Sequence, residues 1–177
     1  MTLYLYRLMG AATLDGGMYE SIEADRGTTV QAAITVLLAS LAAGIGASGW
    51  YGADPFTLVA VSVVACAVWV GWAVLIFHIG TRVLPSSSTR VTLDELLRTT
   101  GFSAAPGLLL AVAVVQGMRV PVFVATGLWM LATMVVAVQH ALDYASAWRA
   151  LAVCLVAMTI VMTLAVALGV VWGPALS

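Results

Sequence analysis

Eight acidic and seven basic side chains, two His and two Cys are all that 177 residues offer for chemistry. The densest group is Glu20, Glu23, Asp25 and Arg26. On a helix Glu20 and Glu23 share one face, while Met18, Tyr19 and Ile22 share another. Two readings follow. One is a helix that docks a partner or ligand at a membrane surface, through Tyr19, Glu20, Glu23 and Asp25. The other is an interfacial helix that only turns its polar side to water. Paired carboxylates do acid–base work when a buried cleft separates their pKa values, and nothing in this spacing supplies one. His78 and His140 end two apolar runs. A shared metal or a bis-His haem would make both rings cofactor ligands. Neither has a further ligand at HxxxH or ExxH spacing, so the expectation is no metal and no cofactor. Each ring then sits at a helix C-terminus, where partial positive charge is favoured. Cys66 and Cys154 form no CxxC pair and read as small buried hydrophobes.

The elements that must position these groups are apolar. Hydrophobic residues make up 63% of the chain and charged residues 8%, against about 25% charged in soluble domains. So few charges cannot cover a water-exposed surface, which places the chain in a bilayer. A net charge of −1 without a single Lys leaves no basic patch for phosphates, and nucleic-acid binding is excluded. Five uncharged apolar runs occupy 30–49, 56–77, 102–117, 120–138 and 150–172. At ~1.5 Å per residue, about 20 residues span the hydrocarbon core. Four runs meet that length and the third is short. None alternates as a barrel strand would, so each satisfies its backbone as a helix. The fold class is an all-α integral membrane bundle of five transmembrane helices with a short interfacial N-terminal helix.

Residues 1–29 read as a retained cytoplasmic segment, because Arg7 interrupts the first apolar stretch and no small-residue cleavage site follows. Residues 78–101 read as a cytoplasmic loop carrying an amphipathic helix at 92–100, with a turn at 85–89. Thr28 with Gln31, and Thr92 with Glu95, have capping-box spacing. Asp143 or Ser146 suits the cap of the fifth span, and Pro121 the first turn of the fourth. With five crossings, Arg7, Arg26, Arg82, Arg90, Arg98 and Arg149 lie inside and Arg119 alone outside. A re-entrant third run gives the same score, so the rule sets the N-terminus inside but not the number of crossings. Trp50, Tyr51 and Trp172 at one interface, with Tyr144 and Trp148 at the other, favour five.

The runs hold no Asp, Glu, Lys or Arg, which argues against a proton-coupled transporter. Thr35, Ser40, Thr57, Ser62, Thr126, Thr133, Thr159 and Thr163 suit hydrogen bonds between helices. Ala39/Ala43, Ser40/Gly44 and Ala42/Gly46 are small-xxx-small pairs that permit close approach. Trp69, Trp72 and Trp129 lie well inside their runs, as core fillers or as a face for lipid, pigment or another subunit. Pro106-Gly107 breaks the third run, and a break at that depth must lie against protein or a cavity.

Three stretches carry a family resemblance. Residues 19–26 followed by Thr29 and Gln31-Ala32, residues 101–107 (Gly-Phe-Ser-Ala-Ala-Pro-Gly), and Ala141-Leu142-Asp143-Tyr144 with Arg149-Ala150 resemble bacterial members of the Yip domain family. These are relatives of the Ypt/Rab-interacting membrane proteins. The resemblance covers roughly residues 12–172. It implies five spans, a cytoplasmic N-terminus, a C-terminus on the far side of a bacterial cytoplasmic membrane, and no enzyme activity. Phe102, Pro106 and Asp143, which lie in these stretches, complete the partner-docking candidates, Pro106 because the break it makes points to a functional spot. GTPase binding does not carry over, because eukaryotic members use longer N-terminal regions. Gln139-His140 stands where relatives often have an Arg-Gln pair.

The expectation is therefore a non-enzymatic membrane protein that scaffolds or accompanies other membrane components. Its partners would be the bilayer and other membrane proteins or further copies of itself. An accessory subunit of a respiratory, photosynthetic or transport complex, and a channel or lipid-handling protein built around Pro106, are the alternatives.

Overall fold

A computed structural model describes residues 2–48, 54–86, 89–115 and 117–172. The helices are α1 (Thr2–Ala12), α2 (Gly16–Ala24), α3 (Thr28–Ser48), α4 (Pro55–His78), α5 (Leu93–Phe102), α6 (Arg119–Ala141) and α7 (Ala147–Trp172). A π-helical turn, Ile79–Val83, extends α4, and a 3₁₀ helix, Ala105–Val114, follows α5. No strand occurs among the described residues. Five segments are long and apolar enough to cross a bilayer: Thr28–Ala47, Leu58–Val83, Leu93–Val114, Arg119–Ala141 and Ala147–Leu164. The chain is a multi-pass, all-α membrane protein. Trp50 and Tyr51 of the expected aromatic belt, and Ser87 and Ser88 of the expected turn, lie outside the described residues.

The third segment is the central one. In its most apolar stretch 61% of residues are buried, against 33% or less in the other four. Its shortness is resolved in two ways. It begins earlier, at Leu93, and its second half is 3₁₀ helix. A 3₁₀ helix rises about 2.0 Å per residue, so its 10 residues reach about 20 Å rather than about 15 Å. Pro106, lacking an N–H, starts this stretch, and Gly107 N–H donates to Ala104 O at 2.8 Å. So long a 3₁₀ run needs support from its neighbours, and α3 supplies it. A Cβ on Gly46 would collide with Leu110 O, and one on Gly107 would stand 3.0 Å from Ala39 Cβ. Ala39, Ala42 and Gly46 thus form a smooth wall for the 3₁₀ backbone. The neighbouring stripe serves α4: Ser40 Oγ meets Ser62 Oγ at 3.1 Å, and a Cβ on Gly44 would meet Leu58 at 2.9 Å.

Two local expectations change, and a third is decided between its alternatives. Residues 92–100 are not a separate surface helix. Leu96, Arg98, Thr99, Thr100 and Phe102 of α5 are buried in the bundle, because this helix is the first half of the third segment. Its start keeps the expected capping box, with Thr92 N–H donating to Glu95 Oε2 at 2.7 Å and Glu95 N–H to Thr92 Oγ1 at 3.3 Å. Thr28 and Gln31 form no box: Thr28 Oγ1 donates to Ile22 O and Asp25 O, and Gln31 Oε1 accepts from Arg7. Ser146, not Asp143, caps α7, with Trp148 N–H donating to Ser146 Oγ at 3.3 Å. Asp143 instead closes α6 in the left-handed region, at φ 51°.

The N-terminal segment holds two helices rather than one. Facing outward, α1 exposes Leu5, Tyr6 and Met9, while Arg7 points inward. Arg7 Nη2 donates to Asp25 Oδ2 at 2.7 Å and Nη1 to Gln31 Oε1 at 3.3 Å. An apolar outer face with the charge turned in suits a helix lying against lipid. Trp129, midway along α6, donates to Ala12 O at 2.7 Å and holds the end of α1 on the bundle flank.

Candidate functional site

Three segments distant in sequence meet at one end of the bundle. Their common product is a cleft of about 550 Å³ lined by Glu20, Glu23, Glu95, Gln139, His140 and Asp143, with Tyr144 at its edge. Glu20 and Glu23 come from α2, which Asp15 caps by accepting from Met18 N–H at 3.3 Å. Glu95 comes from the first turn of α5. The remaining residues come from the end of α6 and the link to α7. That link is held by Tyr144, whose hydroxyl donates to Leu84 O at 2.7 Å, and by Arg149, whose guanidinium lies 5.2 Å from the Tyr144 ring centre. Leu84 is the residue that closes the π-helical turn, so its carbonyl is one of those a helix end leaves open to a side-chain donor.

Arg98 is the strut beneath the cleft. It is buried, and its Nε and Nη2 donate to Glu23 O at 3.1 and 2.6 Å. The cation thereby satisfies a carbonyl at the C-terminal end of α2, where the helix dipole is negative. The Glu23 carboxylate does not receive this bond. Partial burial pushes its pKa up to about 7, and Glu95, Asp143 and Glu20 push the same way against the opposing pull of Arg98. Above α2, His140 Nδ1 stands 3.5 Å from Glu20 Oε1. A Cβ on Gly16 would collide with Nε2 and Cε1 of His140, so glycine at this position lets the ring rest against α2 as it does. The cleft thus holds four carboxylates and one imidazole, and can accept hydrogen bonds from a cationic group.

Of the residues that the sequence alone singles out, Glu20, Glu23, Asp143 and His140 are brought together here. The others are not. Tyr19 is fully buried, donates to Ala11 O at 3.1 Å and ties α2 to α1; burial raises its pKa. Phe102 is fully buried edge-to-face with Tyr4, at 6.1 Å between ring centres. Pro106 is buried at the start of the 3₁₀ helix. These three residues serve packing rather than a docking surface. Asp25 lies off the cleft, where the hydrogen bonds from Arg7 and then from Gly27 N–H lower its pKa. His78 is exposed at the end of α4 and does not line the cleft, so the two imidazoles do not share it. Spacing along the chain does not reveal Glu95 and Gln139 as cleft residues. Glu95 is recognisable only as a cap, and no local pattern distinguishes Gln139. Among the described residues, no three His, Cys, Asp or Glu side chains are grouped to hold a metal. Cys66 is half-buried and Cys154 buried.

No family model, no curated protein and no solved structure matches this chain.

Proposed function

We propose that this protein is a non-enzymatic scaffold of a bacterial cytoplasmic membrane, which receives a basic segment of a membrane partner in its acidic cleft. The observation that carries the reading is the convergence of Glu20, Glu23, Glu95 and Asp143 from three separate segments onto one open cleft. Like charges gathered at a rim are unfavourable alone and become favourable when a cation docks between them. The positive-inside pattern of the arginines supports a cytoplasmic position for this cleft, with the N-terminus.

Affinity purification from membranes in a mild detergent tests the docking. Proteins recovered with the wild-type chain should fall at least about tenfold with the combined Glu20→Gln, Glu23→Gln and Asp143→Asn variant, and recovery should weaken with salt. The same proteins recovered equally with both chains would defeat this reading. Sidedness is read in the same cells. In a chain lacking Cys66 and Cys154, Met118→Cys should react with an impermeant maleimide from outside, and Ala145→Cys only after permeabilisation.

A further inference from the structure

At 11 residues α1 is too short to cross a bilayer, yet it is held against the membrane-spanning part of the bundle. We infer that α1 is an in-plane wedge, immersed in the acyl chains of the leaflet on its own side, and that it makes this protein favour membrane that is convex on that side. The acidic cleft plays no part in this.

The depth of α1 is set by the residues that hold it. Near its start, the Tyr4 hydroxyl meets Thr35 Oγ1 at 3.0 Å. Thr35 stands seven residues into α3, about 10 Å along its axis. At the other end, Ala12 O accepts from Trp129 Nε1 at 2.7 Å. Trp129 stands twelve residues before the end of α6, about 18 Å along its axis. Leu14, in the turn that follows α1, shares an apolar groove with Leu128, Leu131 and Val135 of the same stretch. Both helix ends from which these depths count meet α2. Thr28 Oγ1 donates to Ile22 O at 2.9 Å, and His140 Nδ1 stands 3.5 Å from Glu20 Oε1. One leaflet contributes about 15 Å of hydrocarbon, so α1 lies within it and reaches toward the midplane.

α1 crosses the spans and continues none of them. It runs from α3 to α6 over the 3₁₀ helix, against which all three pack. Its two anchor depths differ by about 8 Å along a helix about 16 Å long, so it lies more across the spans than along them. Its faces suit that position. Arg7, its one charged residue, is turned inward to Asp25 and Gln31. Leu5, Tyr6 and Met9 on the outward face are each more than half exposed. Ile34 and Leu38 of α3 and Leu128 of α6 are exposed at comparable depths within membrane spans, so the outward face of α1 continues a lipid-facing surface.

A helix about 16 Å long and about 10 Å wide takes up roughly 160 Å² of one leaflet. Among the described residues no helix lies across the spans at their opposite ends. The cross-section is thus larger in one leaflet than in the other. That mismatch is relieved where the wider leaflet is convex and its headgroups are spread apart, which is how immersed amphipathic helices become sensitive to curvature.

Two measurements test this, both in a chain lacking Cys66 and Cys154. In bilayers of dioleoylphosphatidylcholine, a nitroxide on Met9→Cys should be more accessible to oxygen than to a water-soluble nickel chelate, as on Leu128→Cys and opposite to Ala145→Cys. Accessibility like that of Ala145→Cys would overturn the immersion. In vesicles of the same lipid, an impermeant maleimide reads the share of Ala145→Cys chains whose α1 side faces outward. The outward-to-inward ratio should be at least about threefold higher in vesicles about 30 nm across than in vesicles about 200 nm across. Water-exposed residues at that end would also bias orientation, and deletion of residues 2–12 separates the two causes, since it leaves those residues in place and should abolish the difference. If the deleted chain does not fold, Leu5→Glu combined with Met9→Glu keeps the inward contacts of α1, opposes its immersion and should at least halve the difference. The inference fails if orientation is independent of vesicle size, or if a folded variant keeps the wild-type bias.

Discussion

The seam between α3 and the 3₁₀ helix and the junction of α2 with α5 and α6 are both tightly built, by opposite means. The seam is specified by what is missing: Gly46 and Gly107 have no Cβ, and Ala39 and Ala42 have little more. The junction is specified by charges and polar contacts: Arg98 on Glu23 O and His140 beside Glu20. The reason is the solvent. Inside the bilayer, apolar side chains gain nothing by leaving lipid for one another, so association depends on close packing. At the end of the bundle, charged groups can be partly hydrated, and Coulomb terms become adjustable by pH and salt.

Breaking the seam should have the largest effect. Gly46→Leu drives a side chain into the Leu110 carbonyl, a backbone atom that cannot move aside. A loss of at least about 3 kcal/mol is expected, read as loss of monodisperse folded protein in detergent. Gly71→Ala, where an added Cβ meets nothing within 4 Å, should be neutral or slightly stabilising.

Breaking the junction should cost less. Arg98→Met leaves Glu23 O without its donor and removes the cation that opposes the protonation of Glu23. The expected loss is about 1.5–3 kcal/mol, larger at pH 8 than at pH 5, measured by thermal unfolding in detergent. If Arg98→Met proves as damaging as Gly46→Leu, the two regions are not built on different principles.

The smallest effect sharpens the contrast. Glu23 holds its proton more tightly in the folded protein than in the unfolded chain. Its contribution to stability therefore falls as pH rises from the ordinary Glu range to about 7, and the penalty is complete above that. Glu23→Gln should raise the melting temperature at pH 8 by about 2–4 °C and leave it unchanged at pH 4. The seam variants should show no such dependence on pH. A Glu23→Gln chain with the wild-type pH profile would remove Glu23 as the titrating group.

Composition and periodicity by themselves determined that this is a helical membrane protein with five apolar segments, because a bilayer admits only helices or closed barrels and these runs do not alternate as barrel strands do. They also determined the Thr92–Glu95 cap and the buried face of Met18, Tyr19 and Ile22, since both depend on spacing within one turn or two. The break at Pro106 was legible, but its outcome was not. Whether the chain kinks or stretches into 3₁₀ helix depends on the wall that Ala39, Ala42 and Gly46 present from another helix. The candidate site was half legible. Glu20 and Glu23 stood out as neighbours on one helix, whereas Glu95 and Asp143 lie about 70 and 120 residues further along and only packing brings them near. The inward turn of Arg7 and the burial of Phe102 were likewise decided by tertiary structure. Local spacing fixes which face a residue occupies; which neighbour that face meets is set by how the helices close around the central segment.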